Sequence, residues 1–207
     1  MSGIRKRATI LFADIAGYTA MMQEDEEKGL KTLQRFREAL ERIVPEHNGT
    51  IIQFFGDGCL LAFDHAKAGV SCAIALQSEF QYRADIPVRL GLHEGEVLFR
   101  DNNAFGDAVN VTSRIESIGV PGAVLVSKVL VAQLFDGSFR WKSLGAFEFK
   151  NIKKPMEVFA LDHEGFAIPK PEDLRGKFKE GAVVNKWFRA AQWLAIYCWH
   201  VGLSWNF

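Results

Sequence analysis

TIIQFFGDGCLLAF, residues 50–63, is the stretch whose reading decides the fold. Its first half, Thr50 to Phe55, is β-branched and aromatic, as a strand requires. Cys59 to Phe63 reads as a second strand, and Gly56-Asp57-Gly58 between them is turn chemistry. The pair is therefore a predicted hairpin, and a hairpin means antiparallel pairing. Upstream, Ala8 to Ala13 reads as a buried strand ending at Asp14, with Gly17 in a turn and a helix starting near Tyr18 or Thr19. Beyond the acidic run Glu24 to Glu27, the residues Leu30, Leu33, Leu40, Ile43 and Val44 recur at helical spacing, and Gly49 is expected to cap that helix.

Downstream, His65 to Tyr82 reads as a helix with Ala66, Val70, Ala73, Ile74 and Phe80 as its stripe. Pro87 to His93 is a predicted strand, which Gly95 to Phe99 extends or pairs beside. A helix is expected over Ala108 to Ile118, a short strand over Ala123 to Val126 and a short helix over Lys128 to Leu134. Strands are expected over Phe139 to Leu144, Phe147 to Lys150 and Met156 to Leu161. Strands and helices mix without strict alternation. The expected class is α/β (α+β), with a mostly antiparallel sheet flanked by helices rather than a doubly wound parallel one.

The chain has 207 residues, 48% of them hydrophobic, which is enough for one core. Lys plus Arg and Asp plus Glu number 25 each, so no global charge favours nucleic acid or an anionic membrane. Three cysteines without a CxxC pair argue against a disulfide framework or structural zinc. No secretory signal is legible, and a cytoplasmic setting is the expectation. Residues 1–165 read as one domain and 166–181 as a linker carrying Pro169 and Pro171. Residues 182–207 form a hydrophobic tail, expected to be helical, holding Trp187, Trp193, Trp199 and Trp205. Its longest clean apolar stretch, Trp193 to Trp199, is far short of the ~20 residues that span a bilayer. Two readings of the tail stay open: an interfacial helix touching a membrane surface or a partner protein, or a helix packed on its own domain or a second copy.

Asp14 ends a buried strand and Asp57 sits in a hairpin turn between glycines. If those strands are neighbours, the carboxylates converge on one sheet edge, and paired carboxylates suit Mg²⁺ or Mn²⁺ together with phosphates. Taken alone, each aspartate is more often a turn or cap residue. The turn Ile15 to Thr19 could cradle phosphate on its backbone amides, though many strand-to-helix turns carry a glycine and a threonine. Asn110 and Arg114 lie one helical turn apart and share a face, suited to a ribose and a phosphate, or simply solvated.

Four stretches occur in order: Phe12 to Thr19, Phe55 to Gly58, Arg89 to Gly95 and Gly106 to Arg114, closed by Leu144 to Ile152 and Pro155 to Phe159. Jointly they resemble the class III adenylyl/guanylyl cyclase catalytic domain over about residues 7–162. The resemblance implies a ferredoxin-like βαββαβ core with extra strands, and a homodimer whose sites lie at the subunit interface. It implies two Mg²⁺ or Mn²⁺ ions per site held by Asp14, Asp57 and the Ile15 carbonyl. Asn110 would orient the ribose and Arg114 would stabilise the charged phosphate. Gly17, Tyr18, Thr19, Arg89 and Lys150 fall where phosphate contacts are expected.

The implied reaction converts a nucleoside triphosphate into a 3′,5′-cyclic monophosphate and pyrophosphate, with no nucleic-acid partner. The base-reading positions match Gln53 and Asn103, two amides where relatives carry charged or smaller pairs. Each amide can donate and accept, so base discrimination should be weak. ATP is the first expectation by family frequency, followed by GTP or a pyrimidine triphosphate. The alternatives are a catalytically inactive homology domain that dimerises or regulates, and a diguanylate cyclase, whose Gly-Gly-Asp/Glu-Glu-Phe signature is missing from the sequence.

Overall fold

The computed structural model describes residues 3–134, 137–149, 152 and 154–174. The expectations for Lys150, the later part of the linker and the Trp-rich tail lie outside these residues. β1 (Ile4–Ile15) leads into α1 (Tyr18–Glu24) and α2 (Glu26–Glu46), then β2 (Gly49–Phe55) and β3 (Gly58–Phe63). α3 (Ala66–Glu79) ends in one π-helical turn, Phe80–Ala84, before β4 (Val88–Arg100) and β5 (Asn103–Phe105). α4 (Asp107–Ser117), β6 (Val124–Ser127) and α5 (Lys128–Val131) follow, and β7 (Trp141–Phe147), β8 (Met156–Leu161) and α6 (Pro171–Leu174) complete the described chain.

The strands form one sheet in the order β2-β3-β1-β4-β6-β8-β7, with β5 hairpinned onto β4. The run β2-β3-β1-β4 is the ferredoxin-like core, and among the described pairs only β4 with β6 is parallel. Alternation along β1 sorts its side chains. Leu11, Ala13 and Ile15 join the core under α2 and α3, whereas Ala8, Ile10 and Phe12 face the opposite side with Leu60 and Val97. On that opposite side α4 packs Val111 and Ile115 over Leu125 and Ala160.

α2 starts where Asp25 accepts a hydrogen bond from the Lys28 amide (3.0 Å), and Glu26 and Glu27 complement the dipole of its first turn. Its buried face is Phe36, Ala39, Leu40, Ile43 and Val44. Phe36 is fully buried and stacks on Phe80 at 5.3 Å between centroids, a burial worth ~2–3 kcal/mol. Leu30, expected on this stripe, is 52% exposed, because the apolar face begins a turn later.

Gly49 does not cap α2. Asn48 takes the left-handed conformation (φ 55), and Gly49 already belongs to β2. Gly49 is small for a packing reason, since a Cβ there would lie 2.4 Å from the Phe63 ring. In place of the strands expected over Phe139 to Leu144 and Phe147 to Lys150 there is one strand, β7, which runs through Gly145 to Phe147 with a bulge between Ser143 and Gly145, and Glu148 and Phe149 lie outside any strand. Gly145 (φ 97) absorbs the irregularity instead of ending the strand. β5 was not foreseen. Its turn, Asp101-Asn102, has two left-handed residues (φ 51 and 57), a conformation that Asp and Asn tolerate in two-residue hairpins. Part of the stretch expected as linker is packed: Phe166 is buried in the core under α3 and Leu174 in the cluster under α4.

His93, on the α4 side of β4, is buried, and its Nδ1 lies 2.7 Å from the Ser127 hydroxyl. Ser127 caps α5 by accepting from the Leu130 amide (3.4 Å), so its own proton is free to go to a neutral imidazole. Burial pushes the His93 pKa down to about 4, with Glu94 partly opposing. The unfolded chain therefore binds a proton that the folded one refuses between about pH 6.5 and 4. The associated stability is fully present above about pH 6.5 and is lost on acidification, up to ~3 kcal/mol by pH 4. Urea unfolding from pH 7.5 to 4.5 should show this loss in the wild type and a flatter profile in His93→Gln. Parallel profiles would refute the assignment.

Candidate active site

Asp14 ends β1 opposite Gly58, the first residue of β3. Asp57 stands in the two-residue turn just before it, which Gly56 enters with a left-handed φ of 59°. The turn is pinned to β1, because the Ile15 amide donates to the Asp57 carbonyl at 3.1 Å. The Ala16 amide in turn donates to the Pro87 carbonyl at 2.7 Å. The two carboxylates are thus brought to one edge of the sheet by three adjacent strands. Asp14 also senses the Asp57 charge. Burial raises the Asp14 pKa and the Asp57 charge adds to it, while the hydrogen bond and charge of Arg89 act in the opposite direction.

Arg89, beside Asp14 on β4, directs Nη2 to Asp14 Oδ2. Its Nε lies 2.9 Å from Glu116 Oε1 on α4, a charge contact without the alignment of a hydrogen bond. The residue expected at a phosphate is therefore engaged with two carboxylates. Cys59, one residue past Gly58, is buried with its thiol pushed up to about 12, which leaves it no nucleophilic role.

The turn after β1 carries the other expected phosphate contacts. Gly17 has φ 75 and no atom within 4 Å of where a Cβ would stand, so the turn is open. It starts α1 without a side-chain cap, leaving first-turn amides to other acceptors. Thr19 is exposed. Tyr18 is half-buried against the core, so its ring has a packing role.

A second group lies elsewhere on the domain. Asn110 and Arg114 are both exposed on α4, whose buried side is Ala108, Val111, Thr112, Ile115 and Glu116. Arg114 has no ion-pair partner among the described residues. Gln53 is exposed on β2, next to a bulge between Ile51 and Gln53 that re-aims the strand. Asn103 begins β5, which lies against β2, and its amide donates to the Asp101 carbonyl at 3.4 Å. Gln53 and Asn103 thus sit on strands that approach each other without pairing.

α4 packs chiefly on β4 and also reaches β1 and β6 on its side of the sheet. On the same side, Ile4 and Phe55 are 67 and 45% exposed, beside the partly buried Phe12, Ile52 and Phe99. Asp14 shares the β1 face of Ile4 and Phe12 by strand alternation. Asp14 and the exposed Ile4 and Phe55 therefore belong to the same side.

The donor set tests the implied metal directly. Two carboxylates and a nearby main-chain carbonyl are hard oxygen ligands, and the mutual repulsion felt at Asp14 is relieved by added positive charge. The residues fit a divalent ion whose remaining ligands come from water and phosphate. No cluster of three or more His, Cys, Asp or Glu side chains suited to a closed metal site occurs among the described residues. No described helix is long and apolar enough to cross a membrane.

Residues 3–163 match the family described as the adenylate and guanylate cyclase catalytic domain. Over 165 residues the chain is 35% identical to a putative adenylate cyclase 3 of Rhizobium meliloti, covering 75% of this chain and 28% of that protein. It is 34% identical to an adenylate/guanylate cyclase/hydrolase from Silicibacter pomeroyi of known structure, with a TM-score of 0.72 over 77% of this chain and 98% of the other. The adenylyl cyclase CyaB from P. aeruginosa, at 24% identity, shares the fold with a TM-score of 0.71 over 84% of this chain and 100% of that one. The chain spans less than a third of the length of the Rhizobium protein.

Proposed function

The chain belongs to the adenylate and guanylate cyclase catalytic-domain family, and from that premise we propose that it converts a nucleoside triphosphate, ATP first, into the 3′,5′-cyclic monophosphate and pyrophosphate. The observation that carries this reading is the meeting of Asp14 and Asp57 at one sheet edge, on the side that also exposes Ile4 and Phe55. Asn110 and Arg114 point outward from α4. The arrangement supports a homodimer in which each site takes Asp14, Asp57 and the Ile15 carbonyl from one subunit and Asn110 and Arg114 from the other.

In that site the Asp14 and Asp57 carboxylates, with the Ile15 carbonyl, would hold the divalent ions. Two Mg²⁺ or Mn²⁺ ions, when bound, would lower the pKa of the ribose 3′-hydroxyl and offset charge on the phosphate oxygens. Asn110 orients the ribose so that the hydroxyl lies in line with the α-phosphorus. Arg114, presented without a competing carboxylate, meets the charge that grows on the α-phosphate as pyrophosphate leaves. The open turn at Gly17 and Thr19 offers amides to the polyphosphate. Gln53 and Asn103 face the base, and because both are amides they select weakly.

Incubating the purified chain with each of the four nucleoside triphosphates and Mn²⁺, with mass spectrometry of the products, tests this reading. Cyclic product from ATP is expected, with other bases accepted at rates within about tenfold, as neutral amide pairs allow. No cyclic product from any of the four would favour a dimerising homology module over an enzyme.

A further inference from the structure

Gln53 and Asn103 are both amides, but only one of them is free to turn over. Gln53 is exposed on β2 and makes no side-chain hydrogen bond among the described residues. Asn103 is half-buried, and its Nδ2 donates to the Asp101 carbonyl at 3.4 Å. A carbonyl only accepts, so the amide end that meets it is the nitrogen. The turn itself holds that carbonyl in place. Asp101 and Asn102 are both left-handed (φ 51 and 57), and Arg100 pairs with Asn103 across this two-residue hairpin. Inverting the Asn103 amide would set Oδ1 against the carbonyl oxygen, two acceptors face to face, which is unfavourable.

The oxygen is therefore the free end of Asn103. The residue lines a cleft of about 540 Å³ between β2 and the β4–β5 hairpin, together with Thr50, Ile52, Phe99 and Asp101. Ile52 and Phe99 offer apolar walls to a flat ring, while Asn103 and the neighbouring Gln53 offer polar atoms to its edge. Nucleobases sort by what they present at that edge. Adenine and cytosine carry an exocyclic amino donor beside a ring-nitrogen acceptor, whereas guanine, hypoxanthine and uracil carry a keto oxygen beside a ring N–H. Gln53 can serve either kind of ring nitrogen by turning its amide. Asn103 matches an amino group as it stands. To meet a keto oxygen it must give up the Asp101 bond, or reach with the one Nδ2 hydrogen left over.

We propose that Asn103, set by the Asp101-Asn102 turn, is a fixed acceptor that makes amino-bearing bases, adenine and cytosine, better substrates than their keto counterparts. The inference rests on the reading above, in which Gln53 and Asn103 face the base. A single neutral hydrogen bond is at stake, so the preference should be ~3–10-fold. It ranks the bases within the breadth that two amides allow, and it sorts them by edge rather than by ring size.

The test uses the full chain and pairs of triphosphates that differ only at this edge: ATP against inosine triphosphate, and CTP against UTP. With Mn²⁺, kcat/KM should be ~3–10-fold higher for the amino member of each pair. Asn103→Asp can only accept and should widen the ATP-to-inosine ratio beyond ~10-fold, whereas Asn103→Lys can only donate and should reverse it. Wild-type ratios near one, or a ratio that neither substitution moves, would overturn the proposal. The wild-type comparison stands even if a variant does not fold.

Binding of 3′-deoxy triphosphates, which lack the attacking hydroxyl, separates base reading from the reaction. Calorimetry with Mn²⁺ should find the 3′-deoxy forms of ATP and CTP bound ~3–10-fold more tightly than those of inosine triphosphate and UTP. That order, without cyclic product from any triphosphate, would uphold the fixed acceptor and refute the cyclase activity. Cyclic product formed equally well from both members of each pair, with equal affinities, would leave the cyclase reading standing and sink this one. No binding of any 3′-deoxy triphosphate would end both.

Discussion

Asp57→Ala should abolish Mn²⁺-dependent cyclisation, lowering kcat by ~10³-fold or more, while the protein keeps its fold. The size follows from the charge involved. Ions that offset charge in the transition state contribute several kcal/mol, and ~4 kcal/mol is three orders of magnitude in rate. The fold should survive because the structural part of Asp57 is its main chain. Its carbonyl receives the Ile15 amide at 3.1 Å, and alanine retains that bond. Loss of the carboxylate also removes a repulsion that raises the Asp14 pKa. Circular dichroism and thermal melting check the fold, and single-turnover assays check the rate. Asp14→Ala should be equally inactive but less well folded, since it strips Arg89 of a partner. A normal rate from a folded Asp57→Ala protein would end the metal assignment.

The second expected result comes from mixing two inactive variants. Asp57→Ala and Arg114→Ala should each be inactive alone. If each site draws its carboxylates from one subunit and its arginine from the other, a heterodimer of the two holds one intact site and one doubly damaged site. Random association makes half the dimers heterodimers, so recovered activity should approach about a quarter of the wild type. Sites built within single subunits would give no recovery in mixtures shown to contain heterodimers. The structure motivates the experiment because Arg114 is exposed, with no ion pair among the described residues, while the carboxylate edge is occupied by Arg89.

Much of the fold was legible along the chain, and the exceptions have particular causes. Helix α2 is legible from the spacing of Leu33, Leu40, Ile43 and Val44, yet Leu30, counted on the same stripe, is exposed because periodicity does not say where a helix first meets its neighbour. The sequence predicts a gap between strands at residues 145–146, but Gly145, with φ 97, carries a bulge inside one strand. Asp101-Asn102 was a readable hairpin signal that was passed over, and with it went β5, the strand that holds Asn103. At the site, Asp14 and Asp57 stand together as their strand ends and turn suggested. Arg89 was assigned by analogy to a phosphate, and no local pattern could have revealed its two partners, which lie on strands and helices distant in sequence.

Alternation, turn chemistry and helical spacing are properties of neighbouring residues. For that reason the amino-acid order alone determined most of the strands, that Asp14 lies near a strand end and Asp57 in a hairpin turn, and that Asn110 and Arg114 share a helix face. Strand order is a property of contacts between remote segments, chosen by how the whole core closes. Only the tertiary structure could therefore decide that β3 and β4 flank β1, that Arg89 falls between Asp14 and Glu116, and that Ile4 and Phe55 stay exposed on the same side.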